Sequence, residues 1–293
     1  MKKFASTALA LILALGMGTT ALAADEITVV SREEGSGTRG AFIELFGVEV
    51  KDADGNKEDM TTEEAEITNS TSVAMTSVAG NPDAIGYISL GSLNDTVKAL
   101  EIDGVAPSAE GIVDGSYKIA RPFNIVLSQN AGDAAKAFVE FILSAEGQKM
   151  VVAEGYIAVP AAGAAAEQPA AAGAAEGRVT VAGSTTVQPL AEKMAEAFIA
   201  ANPKVEIDVQ GGGSSVGVKS GGEGTTNIGT VSREVKEEEK TQYPDMKIYT
   251  IAYDGIAIVV NPEVSVAELS KDQVRDIFSG KIRKWSEVGG ADA

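Results

Sequence analysis

Residues 179–198 read VTVAGSTTVQPLAEKMAEAF, and this stretch decides the fold class. VTVAG at 179–183 spells a buried strand, and Leu190, Met194, Ala197 and Phe198 then recur at helical spacing. Between them sits a tight Gly and hydroxyl loop, GSTT at 183–186. Strand, loop, helix is the repeating unit of a layered α/β protein. Outward from it, VEIDVQ at 205–210 alternates like a strand, and IYTIAYDGIAIVVNP at 248–262 is a β-branched run ending in an Asn-Pro turn signal. Toward the N-terminus, ITVV at 27–30 and AIGYISL at 84–90 read as strands and AFIELFG at 41–47 as a helix. One long helix is expected where Ala134, Ala135, Phe138, Phe141, Ile142 and Met150 share a face.

Composition excludes several function classes. The chain has 42 Asp plus Glu against 24 Lys plus Arg, a net charge of -18 that repels nucleic acid and anionic membrane. It has neither His nor Cys, so a Ser/His/Asp or Cys/His nucleophile, a His or thiolate metal site and a disulfide are all unavailable. No enzyme activity, cofactor or metal is expected. With 44% hydrophobic residues in 293, the chain can fill two lobes of about 100 to 150 residues each.

Residues 1–24 read as a secretory signal: Lys2 and Lys3, an apolar run from Phe4 to Leu15, then Ala21-Leu22-Ala23 before Ala24. Cleavage there or retention as an anchor both fit, and no Cys is available for a lipid anchor. The location expected is extracytoplasmic, in the periplasm or at the cell surface. AAGAAAEQPAAAGAAEG at 161–177 reads as a flexible tether between two ordered parts, 25–160 and 178–293.

A Gly and hydroxyl loop opens a helix at three places: GSGT (35–38), GSTT (183–186) and GGGSS (211–215). Converging NH groups, the positive end of the helix dipole and Ser or Thr hydroxyls suit an oxyanion. Taken singly, each loop is more often an ordinary helix cap, and it is the three together that point to an anion. None completes a P-loop, a GxGxxG or a GxSxG motif. An acidic chain needs such local donors to hold an anion at all.

The stretches AGSTTVQPLAEKMAEAF, VQGGGSSVGVKS, NIGTVSRE, IAYDGIAIVVNP, VRDIFSGKIRKWSEVGG and ITVVSREEGSGTRGAF resemble the substrate-binding protein of phosphate ABC transporters. The resemblance implies a two-lobed, type II periplasmic-binding-protein-like α/β fold with a hinge and an interlobe cleft. It implies capture of inorganic phosphate for ABC transporter permease subunits, by a monomer. The order of the stretches is inverted relative to the family: 25–160 matches its C-terminal half and 178–293 its N-terminal half. A circular permutation would produce this, and so would a truncated chain whose continuation would repeat the first half. The lobes would then be 25–117 with 263–293, and 119–160 with 178–261, crossing near Lys118–Pro122 and Val259–Pro262.

Carried over by resemblance, the phosphate contacts are Arg32, Ser36, Gly37, Thr38, Thr185, Thr186 and Ser214, with Ser184 and Ser215 from the same loops. Ser232 stands where some relatives have Asp, a carboxylate that tells protonated phosphate from sulfate. Glu34 and Asp254 are the candidate replacement acceptors, and Glu34 is also a candidate partner for Arg32. Arg32 and Arg233 could each instead form a plain ion pair, EVKEEEK at 234–240 a solvated helix face, and Trp285 a core or loop anchor. Another oxyanion such as sulfate or molybdate, or a role in anion sensing at the surface, remains the alternative reading.

Overall fold

The structure is a computed structural model that describes residues 25–52, 56–160 and 175–290. The expected signal and most of the expected tether lie outside the described residues, while Gly177, placed in the tether by its composition, already opens a strand.

Eight strands carry the frame: β1 (Thr28–Arg32), β2 (Glu66–Thr68), β3 (Ala84–Ser89), β4 (Ala120–Leu127), β5 (Gly177–Gly183), β6 (Val205–Gly211), β7 (Ile228–Val231) and β8 (Lys247–Val260). They bond side by side in the order β6-β5-β7-β4-β8-β3-β1-β2. The outer strands at each end are parallel, and β4 and β8 pair antiparallel in the middle. Helices α1 (Gly37–Phe46), α2 (Thr71–Gly80), α3 (Asp133–Leu143), α4 (Gln188–Ala201), α5 (Ser214–Glu223) and α6 (Lys271–Phe278) pack on these strands. β3, β7 and most of β8 are buried along their length, which is why they read as apolar runs without alternation.

Among the described residues four apolar clusters form, and the two largest are built around opposite ends of the central pair. The first gathers Phe42, Phe46, Tyr87, Ile258, Phe278 and Trp285, and the second Phe123, Phe138, Phe141, Leu190, Met194 and Phe198. These are the two lobes. β4 enters the second lobe between Ile119 and Phe123, inside the expected crossing at Lys118–Pro122. The second crossing differs from expectation. β8 pairs with β4 from Lys247 to Gly255 and with β3 from Ile256 to Val260, so the chain changes lobes in mid-strand near Asp254–Ile256. Val259 and Val260 already lie in the first lobe. An apolar run reveals the length of a strand, whereas the change of partner that marks the crossing leaves no trace in its composition.

The long helix expected after residue 133 is two helices, α3 and Ala145–Ala153, broken at Ser144. The Ser144 hydroxyl donates to Phe141 O at 2.6 Å and accepts from Gly147 N at 3.2 Å. Gly147 lets the second helix fold tightly back, since a Cβ there would stand 2.3 Å from Phe141 O. Trp285 is core: it is buried, and its ring NH donates to Asp83 O at 3.2 Å.

Phe42 anchors the first core, stacked on Tyr87 at 4.0 Å and tilted against Phe278 at 4.6 Å. Phe42→Ala is expected to cost about 3 to 5 kcal/mol in denaturant unfolding. Val113→Ala, at an exposed position, should change stability by less than about 0.5 kcal/mol.

Candidate functional site

The carboxyl ends of β1, β2, β5, β6 and β7 face the boundary between the lobes, and α1, α2, α4 and α5 start there, close enough for their first residues to bond across it. In open α/β sheets this is where ligands bind. Helix starts turn their unpaired NH groups toward the crevice. Ser36 caps α1, its hydroxyl accepting from Arg39 N, and Gly37 begins the helix. Gly37 must lack a side chain, because a Cβ would stand 2.1 Å from Ser214 Oγ and 2.6 Å from Ser232 Oγ. Gly183 is required too: its φ is +140°, and a Cβ would meet Thr230 O at 2.3 Å.

Hydroxyls from both lobes meet between these helix starts. Thr38 and Thr186 bond through their Oγ1 atoms at 2.9 Å, and Thr71 and Thr186 at 2.8 Å. Ser184 Oγ donates to Ser232 Oγ at 2.9 Å while accepting from the NH groups of Thr186 and Val187. Ser214 Oγ accepts from Ser232 N at 3.0 Å and lies 3.3 Å from Ser232 Oγ. Thr38, Thr71, Ser184, Thr186, Ser214 and Ser232 are all buried.

Arg32 supplies the charge. Its guanidinium is 2% exposed, with Nη1 donating to Thr71 Oγ1 at 3.2 Å and Nη2 to Thr185 Oγ1 at 3.0 Å, across the lobe boundary. Glu33 accepts from Nε and Nη2, both at 2.9 Å. The Arg32 partner is therefore Glu33, not the expected Glu34, which is exposed. Tyr87 holds the Arg32 backbone by accepting from its NH at 3.2 Å, and burial pushes this phenol up to about 12, keeping it neutral.

Asp254, the other expected acceptor, is committed elsewhere. It pairs with buried Arg121 at 3.0 Å where β4 and β8 cross between the lobes. Arg121 Nη1 also donates to Ser232 O at 3.0 Å, fixing that loop from behind. The site thus gathers Arg32, Gly37, Thr38, Ser184, Thr185, Thr186, Ser214 and Ser232. Ser36 spends its hydroxyl on its own helix. Ser215 is exposed; its NH donates to Gly35 O at 3.1 Å and its Oγ accepts from Arg233 at 3.2 Å. Arg233 is buried and doubly bonded to Glu239, whose carboxyl those bonds hold below its ordinary range although burial pushes the other way. Only part of the EVKEEEK run is therefore solvated. Thr71 was missed by sequence reasoning. ITNSTS at 67–72 carries the same strand, hydroxyl, helix pattern, but without the glycine that drew attention to the other loops.

A family profile described as "PBP superfamily domain" matches residues 1–146 and 166–293. The phosphate-binding protein PstS 2 of Streptococcus agalactiae serotype V is 49% identical over 263 residues, 89% of this chain and 87% of that protein. The phosphate-binding protein PstS of Bacillus subtilis is 39% identical over 118 residues, 40% of this chain and 39% of that protein. The crystal structure of a phosphate ABC transporter, phosphate-binding protein from Streptococcus pneumoniae TIGR4 matches with a TM-score of 0.70 and 44% identity, over 90% of this chain and 99% of that one. A two-lobed α/β frame, a hydroxyl-lined interlobe crevice and these matches place the chain in the family of PstS-like phosphate-binding proteins.

Proposed function

We propose that this protein captures inorganic phosphate between its lobes outside the cytoplasm and delivers it to the permease subunits of an ABC transporter. The observation that carries this reading is the buried Arg32 within a cluster of hydroxyls drawn from both lobes. Binding is reversible and noncovalent. A dry crevice strengthens each donor, so the site holds an anion despite a net charge of -18. Because the donors belong to both lobes, ligand favours the closed arrangement over any in which they are apart.

The 1–24 segment serves as export signal and the protein acts as a monomer in this reading. We further infer that its halves are permuted relative to part of the family. The match to the Bacillus protein is confined to less than half of each chain. Residues 25–27 also lie against 283–286: Trp285 N donates to Asp25 O at 2.9 Å, Ile27 N to Arg283 O at 2.7 Å, and Ser286 Oγ to Asp25 Oδ2 at 2.6 Å. A family-order chain would run continuously there, and adjacent ends are what a permutation requires.

Calorimetric titration is expected to give one phosphate per chain; absence of saturable heat would overturn the reading. Thr38→Ala and Ser214→Ala should each weaken binding by about 1 to 3 kcal/mol through loss of a buried hydroxyl. Arg32→Met should weaken it by at least as much as either, since it also leaves Glu33 without its cation.

A further inference from the structure

β7 pairs with β4 as far as Val231, opposite Asn124, and the chain then leaves the sheet through Ser232 and Arg233. Buried carbonyls at such a departure need donors other than a strand ladder. β4 supplies them from its side chains. Arg121 Nη1 donates to Ser232 O at 3.0 Å, and Asn124 Nδ2 donates to Arg233 O at 2.9 Å. Each of these side chains is backed by the residue that faces it in register on β8. Asp254 accepts from Arg121 Nε and Nη2 at 3.2 and 3.0 Å, and Asn124 accepts from Thr250 Oγ1 at 2.8 Å. Arg121, Asn124 and Asp254 are all buried.

The two strands of this clamp are the ones that cross between the lobes, and Asp254 also accepts from Gly91 N of the first lobe at 3.3 Å. The ion pair occupies the Nε and Nη2 edge of the guanidinium and leaves Nη1 for the Ser232 carbonyl. On its other side Ser232 belongs to the anion cluster. Its NH donates to Ser214 Oγ at 3.0 Å, and its hydroxyl accepts from Ser184 Oγ at 2.9 Å. Ser232 is thus gripped twice, by its carbonyl toward the lobe crossing and by its NH and hydroxyl toward the cluster.

We propose that Arg121 is a positioning residue for anion capture: anchored on Asp254 at the lobe crossing, it holds the Ser232 carbonyl so that the Ser232 hydroxyl stays aimed into the cluster. This rests on the phosphate-binding reading and adds to it a residue that acts through another. Without the Arg121 bond the loop after β7 gains freedom, and a hydroxyl that is already in place becomes one that must be ordered when the anion binds. Ser214 is placed by the start of its own helix, α5, so the effect falls chiefly on Ser232.

The test is calorimetric titration with phosphate of four chains: the wild type, Arg121→Met combined with Asp254→Leu, Ser232→Ala, and all three substitutions together. Replacing both members of the ion pair keeps the net charge and leaves no lone buried ion, and apolar replacement of a whole buried pair is often tolerated. A loss of affinity then cannot be assigned to a missing cation.

The expected result is that the paired replacement weakens phosphate binding about tenfold in the wild-type background. In the Ser232→Ala background it should weaken binding by no more than about threefold, because the hydroxyl that Arg121 positions is already gone. A merely structural effect would cost the same in both backgrounds. Arg121→Lys keeps the charge beside Asp254 but not the planar fork, and it should couple to Ser232→Ala in the same sense, which closes the cycle even where the paired replacement does not fold. Equal losses in both backgrounds, or undiminished affinity when Arg121 is replaced, overturn the positioning role while phosphate binding stands. Failure of the wild type to bind phosphate overturns the functional reading beneath it.

Discussion

Arg32 is buried, and a buried guanidinium is tolerable when its donors are taken up and its charge is compensated. Glu33 compensates it from the same loop, Thr71 accepts from it within the first lobe, and Thr185 accepts from it across the boundary. The local pair lowers the net charge of the site and takes up the guanidinium's Nε and one Nη2 donor. The cross-lobe bond gives the closed arrangement a contact that separation of the lobes would break. The hydroxyl cluster, the glycine at 37 and the arrangement of helix starts all surround this one cation.

Its position follows from the frame. Parallel strands deliver successive loops to the same edge of each lobe, and the central antiparallel pair joins the two edges into one crevice. Where that pair changes lobes, Arg121 and Asp254 bond in register, and Arg121 reaches on to the Ser232 carbonyl. Asp254 in turn accepts from Gly91 N of the first lobe at 3.3 Å. The crossing strands and the Ser232 loop are thus tied by a short series of charge-assisted bonds, which are among the stronger polar contacts available in a protein.

Much of this was legible in the sequence because it rests on short-range patterns. Strand, loop and helix periodicity gave the layers, and Gly with Ser or Thr at a helix start marked three of the loops that meet at the site. Features set by long-range geometry were not legible. Glu33 and Glu34 are equivalent by composition, and backbone direction alone decides which one folds back on Arg32. Thr71 has no neighbouring glycine, and its place depends on α2 starting beside β1 rather than on any motif. The break at Ser144 and the mid-strand lobe crossing of β8 likewise follow from what packs against them. Ser215 sits one residue past a buried ligand candidate, and a helix turns adjacent side chains to different faces.

In the proposed function, one oxyanion is held by donors from both lobes around Arg32. A crystal structure of the protein grown with phosphate tests it most directly. One phosphate is expected between the lobes, within hydrogen-bonding distance of Arg32 and of hydroxyls from Thr38, Thr186 and Ser214. Phosphate bound outside the crevice, or contacted by one lobe alone, would contradict it.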